Sequence, residues 1–488
     1  MSKSIKKNYA YNLIYQVLTL LFPLVTTPYL SRILGADGVG LFSYAESIIS
    51  YFVLFAGMGI AIYGQREVSY NQDSEENRSK IFWETQLLKL ITTGVCVIIY
   101  IAFILFVVEE SNKILYTILI FQLLSVAVDA VWFFQGMEEF GKIVFRNILV
   151  RIALIVFIFV FVKEKDDLIY YALGHVGIYF LSALSIWGYL PKYVKRVKLK
   201  FLRPFRNFKV VWLLFVPTIA IQIYTVLDKT MIGLITQNSF ENGYYEQALK
   251  ISKMTLAVVS ALTTVMIPRI GRHFEKKEDE LVKMWMYKSY RFVWCFAIPI
   301  CIGLVMVANK LIPWFLGDGY DAVVPILQVS ALLVVAIGIN TVTGNQYLIP
   351  TKREKLYTKT VLFGAGVNFC LNIVFISMWG AIGAAIASVI AETAIAVTQI
   401  LLVRSELKIS TILLSSVKYL IAGVIMGAAL YVEGLFLQAN VIDTIIMIGS
   451  GVVIYFLSLL VMRDQFTFGI FKKVILKLKR KSISEEQK

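Results

Sequence analysis

The residues best suited to chemistry are charged and lie where charge is expensive. Lys250 and Lys253 stand three apart with Glu246 four before Lys250, so the three share one face of a helix. Thr218, Gln222, Thr225 and Lys229 form a second stripe at helical spacing, with Asp228 beside the lysine. Cations in this arrangement can hold an anion, and the carboxylates Glu46 and Asp228 can neutralise them while the site is empty. All of these residues fall inside long apolar stretches. An ionised side chain there costs about 2.5–3.5 kcal/mol at a helix centre, so each must meet a partner or a wet cavity. The alternative for any one lysine is to snorkel to the interface, because Lys229, Lys250 and Lys253 all sit in the outer half of their stretch. Asp129 and Glu392 read as isolated acids, suited equally to ion coupling or to a hydrogen bond between helices. Lys89 and Arg151 read as interfacial.

The elements that must position these side chains follow from composition. Of 488 residues 58% are hydrophobic and 16% charged, the mean hydropathy is +0.73, and apolar stretches of about twenty residues recur along the chain, each long enough to cross a bilayer as a helix. The expected fold is therefore all-α and polytopic, with about fourteen spans. They are read at 10–34, 41–63, 82–107, 114–136, 144–162, 168–190, 210–236, 246–268, 287–309, 322–349, 357–378, 380–403, 413–432 and 441–462. The first is read as a permanent span and not a cleaved signal, since Pro23 and Pro28 interrupt it. Short connections leave no room for an inserted soluble domain. Most of the 48 lysines and arginines fall on one side of the spans, in the 192–209 and 269–291 loops, Lys352 to Lys359 and the 463–488 tail. Cytoplasmic loops retain basic residues, so both termini are expected in the cytoplasm. The net charge of +16 then expresses topology and attraction to anionic lipid, and nucleic-acid binding is not expected.

A shift of 203 residues places Gly40-Leu41-Phe42, Ala45 and Ile48 on Gly243-Tyr244-Tyr245, Ala248 and Ile251. Six spans separate the copies, so corresponding helices point the same way and the halves are related by a pseudo-two-fold along the membrane normal. Two six-helix bundles, 1–205 and 206–405, are expected, followed by two extra helices at 406–465 and a basic tail at 466–488. The shift also puts Ser47 and Ser50 at the positions of Lys250 and Lys253, so one face is hydroxyl-bearing in one half and cationic in the other. Pro23 and Pro217 would kink the first and seventh spans. Gly380-Ala381-Ile382-Gly383-Ala384-Ala385 is a small-residue packing face and lacks the lysine followed by serine or threonine of a phosphate loop. Cys96, Cys295, Cys301 and Cys370 have no metal or redox spacing, and His175 and His273 are the only histidines. No catalytic apparatus, metal or cofactor is expected.

Three segments carry a family resemblance: Pro28-Tyr29-Leu30-Ser31-Arg32-Ile33-Leu34-Gly35 with Gly38-Val39-Gly40; Trp132-Phe133-Phe134-Gln135-Gly136-Met137-Glu138; and Asn368 with Asn372 ahead of the Gly-Ala face. With these the chain resembles, over nearly its whole length, the polysaccharide transporter branch of the multidrug/oligosaccharidyl-lipid/polysaccharide exporter superfamily. The resemblance implies a flippase in a bacterial or archaeal cytoplasmic membrane. It would move an undecaprenyl-pyrophosphate-linked repeat unit outward for O-antigen, capsule, exopolysaccharide or teichuronic-type polymer, alongside polymerase machinery. It also implies a cavity lined by spans one, two, seven and eight, which adds Arg32 to Glu46, Lys229, Lys250 and Lys253 as substrate-binding candidates. A proton or sodium gradient or the membrane potential would supply the energy. A drug/cation antiporter of the same superfamily is the alternative, and it should need an acidic cavity where bases outnumber acids on these faces. A polysaccharide polymerase should carry a sizeable outer loop, which the spacing does not allow.

Overall fold

In the computed structural model the backbone is described for residues 5–469, and the side chains for 21–469 except 216, 217, 220, 221, 223, 224 and 264. Lys3, the side chains of Lys6, Lys7 and Pro217, and the tail beyond 469 lie outside the described residues. Every regular element among those described is helical. Ten helical segments are long and apolar enough to cross a bilayer, or eleven if the bent pair Ser239–Ser260 and Val265–Glu275 counts as one span. Two of these segments each contain two arms, which gives twelve or thirteen crossings among the described residues against about fourteen expected.

The first such segment begins with α1 (Ile5–Gly57), whose helical geometry fails at Gly35, with φ 67° and ψ 176°. That region is open to glycine alone without strain, so one residue redirects the chain between expected spans one and two. The break thus falls at Gly35, after both prolines. Later in the chain Gly380, at φ 58° and ψ −131°, divides another long helix in the same way.

The rest of the first half comprises α2 (Ile60–Tyr70), α3 (Glu75–Phe106), α4 (Lys113–Val128), α5 (Val131–Gly136), α6 (Phe140–Phe161), α7 (Leu168–Ser185) and α8 (Phe208–Thr236). Then follow α9 (Ser239–Ser260), α10 (Thr263–Glu275), α11 (Asp279–Leu316), α12 (Val323–Ser330) and α13 (Leu332–Asn340), which continues as a π-helix over Thr341–Leu348. The chain closes with α14 (Glu354–Leu402), α15 (Ile409–Leu414), α16 (Val417–Phe436) and α17 (Val441–Val461).

By packing the chain divides into residues 1–246 and 247–488. This boundary lies later than the expected one at 205/206: α8 packs with α1 and α2, and the first turns of α9 meet α1.

In the first unit the Trp132-Phe133-Phe134 run forms its own short helix, α5, and all three rings are buried with Phe82 and Ile186. Gln72 donates to the Gly136 carbonyl at 2.7 Å, tying the end of α5 to the chain after α2. In the second unit Tyr290, Trp294, Ile298, Met426 and Tyr455 share one core. Tyr455 donates to the Cys295 carbonyl at 3.0 Å, so the phenol end of this buried ring is satisfied. Asn368 donates across the two arms of α14 to Ser388 at 3.3 Å, and Asn372 donates to Asn368 within the first arm at 3.1 Å, all within the protein interior. Ala381, Ala384, Ala385 and Ala387 are buried, as a small-residue face requires. Large apolar side chains such as Phe106, Phe436 and Val461 are exposed. An apolar surface this extensive needs lipid as its solvent.

Candidate functional site

The site is built where the two copies of the sequence repeat meet. A Cβ added at Gly40 would stand 1.7 Å from the Ser239 carbonyl oxygen, and one at Gly243 would stand 2.0 Å from that of Ala36. Ala36 and Ser239, like Gly40 and Gly243, are 203 residues apart, so the contact is reciprocal about a local two-fold. The Ser239 hydroxyl donates to Asp37 beside it. One turn further Ser43 donates to Glu246 at 3.3 Å, again an equivalent pair. Glycine at both crossing points lets backbone meet backbone, and the polar residues one turn deeper are thereby brought together.

Helices α8 and α9 are joined by Gln237 and Asn238, and Gln237 takes the left-handed conformation. This tight hairpin opposes residues 228–229 to 245–246. Lys229 Nζ lies 2.6 Å from Glu246 Oε2, and both side chains are 17% exposed. Tyr245 donates to Asp228. The Glu46 carboxylate of α1 lies 3.7 Å from His175 Nε2 on α7. Ser47 is buried, accepting from Thr230 at 3.0 Å, and Tyr51 shares a hydrogen bond of 3.0 Å with the same Thr230. Arg32, Glu46, Ser47, Asp228 and Lys229 thus lie on α1 and α8 as expected, with Arg32 exposed just before the break at Gly35.

The remaining candidates have these surroundings. Glu246, on the same face of α9 as Lys250, is engaged by Lys229 of α8. Ser50 donates to the Glu46 carbonyl of its own helix at 2.7 Å, and Gln222 is exposed on α8. Lys250 and Lys253 belong to the second unit, the former half-buried and the latter exposed on α9. His175, Thr230, Tyr51 and Tyr245 were not singled out. Nothing in their local spacing marks them, since their partners lie on other helices or, for Tyr245, beyond the α8–α9 turn.

Two readings from the sequence need correction. Asp129 is not isolated and Lys89 is not interfacial: Lys89 is 3% exposed, 3.5 Å from Asp129 Oδ2, and donates to the Asp129 carbonyl at 2.7 Å. The reason is a break in the helix after Val128, which leaves terminal carbonyls inside the spans that must find donors. Gln86 takes Ala127, Trp187 takes Val128 at 2.6 Å, and Lys89 takes Asp129. Glu392 likewise has a partner, Asn340, whose amide donates to its carboxylate and, at 3.2 Å, to its carbonyl. Asn340 is the residue before the π-helical segment, a rare geometry that often marks functional positions. Among the described residues no group of three or more His, Cys, Asp or Glu could hold a metal ion.

An all-helical, multi-pass membrane protein with ionisable side chains held between its helices has the architecture of a transporter. Residues 5–274 match the family described as polysaccharide biosynthesis protein, more than half the chain, and the chain belongs to that family. It is 24% identical over 414 residues to an Escherichia coli (strain K12) protein described as "Putative O-antigen transporter", covering 83% of this chain and 97% of that one. It is 21% identical over 369 residues to the "Probable low-salt glycan biosynthesis flippase Agl15" of Haloferax volcanii, covering 74% and 75%. In fold it is similar to the lipid II flippase MurJ in an inward closed conformation, with TM-score 0.75, 18% identity, and 95% and 100% of the two chains covered. An inward-facing multidrug resistance MATE family transporter aligns with TM-score 0.59, 13% identity, and 81% and 99% covered.

Proposed function

We propose that this protein is a flippase for a lipid-linked oligosaccharide. It would carry an undecaprenyl-pyrophosphate-linked repeat unit from the cytoplasmic to the outer leaflet for a cell-surface polysaccharide, with both termini in the cytoplasm. The observation that carries the reading is the ion pair of Lys229 and Glu246 within the spans, 2.6 Å apart. A cation kept in that environment needs an anion beside it, and a pyrophosphate head group can exchange with the carboxylate. Lys250 and Lys253 would add to the cationic surface, and the polyprenyl tail would stay in lipid. The transporter and flippase descriptions of the relatives support the same class of cargo.

Alternating access of the two repeat halves about the site is the mechanism this reading implies. Outward movement of two uncompensated negative charges is favoured by roughly 4–5 kcal/mol per 100 mV of inside-negative potential, so the potential alone can drive it. If lysines move with the charge, a proton or sodium gradient takes over, and Asp129 or Glu392 would be the coupling acid.

One observation favours a second reading. Around Lys229 stand Glu46, Asp228 and Glu246, so the described cluster in residues 1–246 is richer in acid than the sequence faces suggest. That is the polarity a drug/cation antiporter needs. The deciding experiment is the leaflet distribution of the lipid-linked repeat unit, read with a membrane-impermeant sugar probe on spheroplasts with and without the protein. Accumulation on the cytoplasmic face only in its absence is the result expected of a flippase. An unchanged distribution with altered resistance to cationic compounds transfers the assignment to the antiporter.

A further inference from the structure

A cavity of about 440 Å3 lies among α1, α2, α3, α4, α6 and α7 of the first unit, apart from the Lys229 cluster. Its polar lining includes Lys89, Arg146, Arg151, Asn147 and Tyr179, and Asp129 is the one carboxylate among its lining residues. Three cations therefore share a cavity with a single acid, and that acid already faces Lys89 at 3.5 Å. Arg146 donates to Asn147 at 3.1 Å and reaches the Ser182 carbonyl at 3.5 Å. The Arg151 guanidinium lies over the Phe22 ring at 5.4 Å. Arg151, read from the sequence as interfacial, stands near the middle of the 22-residue α6, and a charge in the middle of a span is costly and points to a function. Valines 53, 126 and 150 line the same cavity.

We propose that this cavity binds the phosphate head group of a membrane lipid. Guanidinium forks match phosphate oxygens two at a time, and the excess of positive charge calls for an anion. The flanking valines suit an anion that brings hydrocarbon with it, which a free phosphate does not. Helix α4 ends at this cavity, and Lys89 both satisfies the Asp129 carbonyl just past that end and lines the space where the head group would sit. The inference does not rest on the flippase reading, and the cavity uses none of Lys229, Glu246, Lys250 or Lys253.

The test is native mass spectrometry of the full-length protein released from phosphatidylcholine nanodiscs. The discs are doped in turn with phosphatidylglycerol, a C55 polyprenyl pyrophosphate or uncharged diacylglycerol. The wild type should retain at least one of the two phosphate lipids above the diacylglycerol level. Retention should fall about tenfold in Arg146→Gln/Arg151→Gln and by less in Arg146→Lys/Arg151→Lys, which keeps the charge but loses the fork. Selective retention of phosphatidylglycerol identifies a resident lipid, and selective retention of the pyrophosphate identifies a second contact for cargo. Inorganic pyrophosphate should displace either from the wild type, a readout independent of how well the glutamine variant folds. Failure to displace, retention no better than diacylglycerol, or equal retention in the glutamine variant would each overturn the proposal.

Discussion

At the scale of single residues, the Lys229–Glu246 pair separates stability from transport. Removing one partner strands the other charge in a poorly hydrated site, at a cost of about 3–5 kcal/mol, whereas replacing both by apolar residues of similar volume can be nearly neutral. Glu246→Leu alone should therefore lower the melting temperature of the purified protein. Lys229→Met/Glu246→Leu should restore it while polymer export stays lost. A double variant that exports normally would show that the pair only holds helices. Lys250→Ala/Lys253→Ala should abolish export at unchanged protein level, and full export in that variant would remove these lysines from the site. Outside the spans, Arg353 grips Glu406 through two bonds of 2.6 and 2.9 Å. Burial raises the Glu406 carboxyl, but hydrogen bonds from Arg353 and Tyr347 outweigh it and hold the carboxyl below its ordinary value. That contribution is present above the ordinary glutamate pKa of about 4.3 and is lost as pH falls through the lower folded value. Thermal unfolding of the wild type should show this loss below about pH 4, and Glu406→Gln should lack that part of the acid dependence.

At the scale of elements, the crossing of α1 and α9 depends on two glycines. A methyl group at Gly40 or Gly243 would meet a carbonyl oxygen at 1.7 or 2.0 Å, a backbone that cannot step aside without moving its helix. Gly40→Ala and Gly243→Ala should each sharply reduce the yield of folded protein in membranes. Gly94→Ala in α3, where an added Cβ meets nothing within 4 Å, should be tolerated. Size-exclusion profiles of detergent extracts distinguish these outcomes. The repeat signature was legible in the sequence because the crossing demands glycine at equivalent positions. The Lys89–Asp129 pair was not, because forty residues separate its members and only the packing of α3 against α4 brings them together.

At the scale of the whole molecule, topology follows from the basic loops. The segment 192–209, rich in lysine and arginine, is expected on the cytoplasmic side. A single cysteine introduced there, in a background lacking the four native ones, should react with an impermeant maleimide only after the membrane is opened. Labelling in intact cells would invert the orientation and with it the direction assigned to transport.

Hydropathy and charge alone determined that this chain lives in lipid, that its regular structure is helical and that it carries charges where lipid forbids them, because transfer energies act on each residue wherever the chain later goes. The family, too, was legible in short motifs such as Trp132-Phe133-Phe134. Tertiary structure decided which charges meet. Glu246 meets Lys229 of another helix, Asp129 and Glu392 acquire partners, and Arg146 and Arg151 come to share a cavity with Lys89. Helical periodicity specifies the face of a residue on its own helix, while an ion pair depends on the rotation and depth of a second helix, which are set by the packing of the entire bundle.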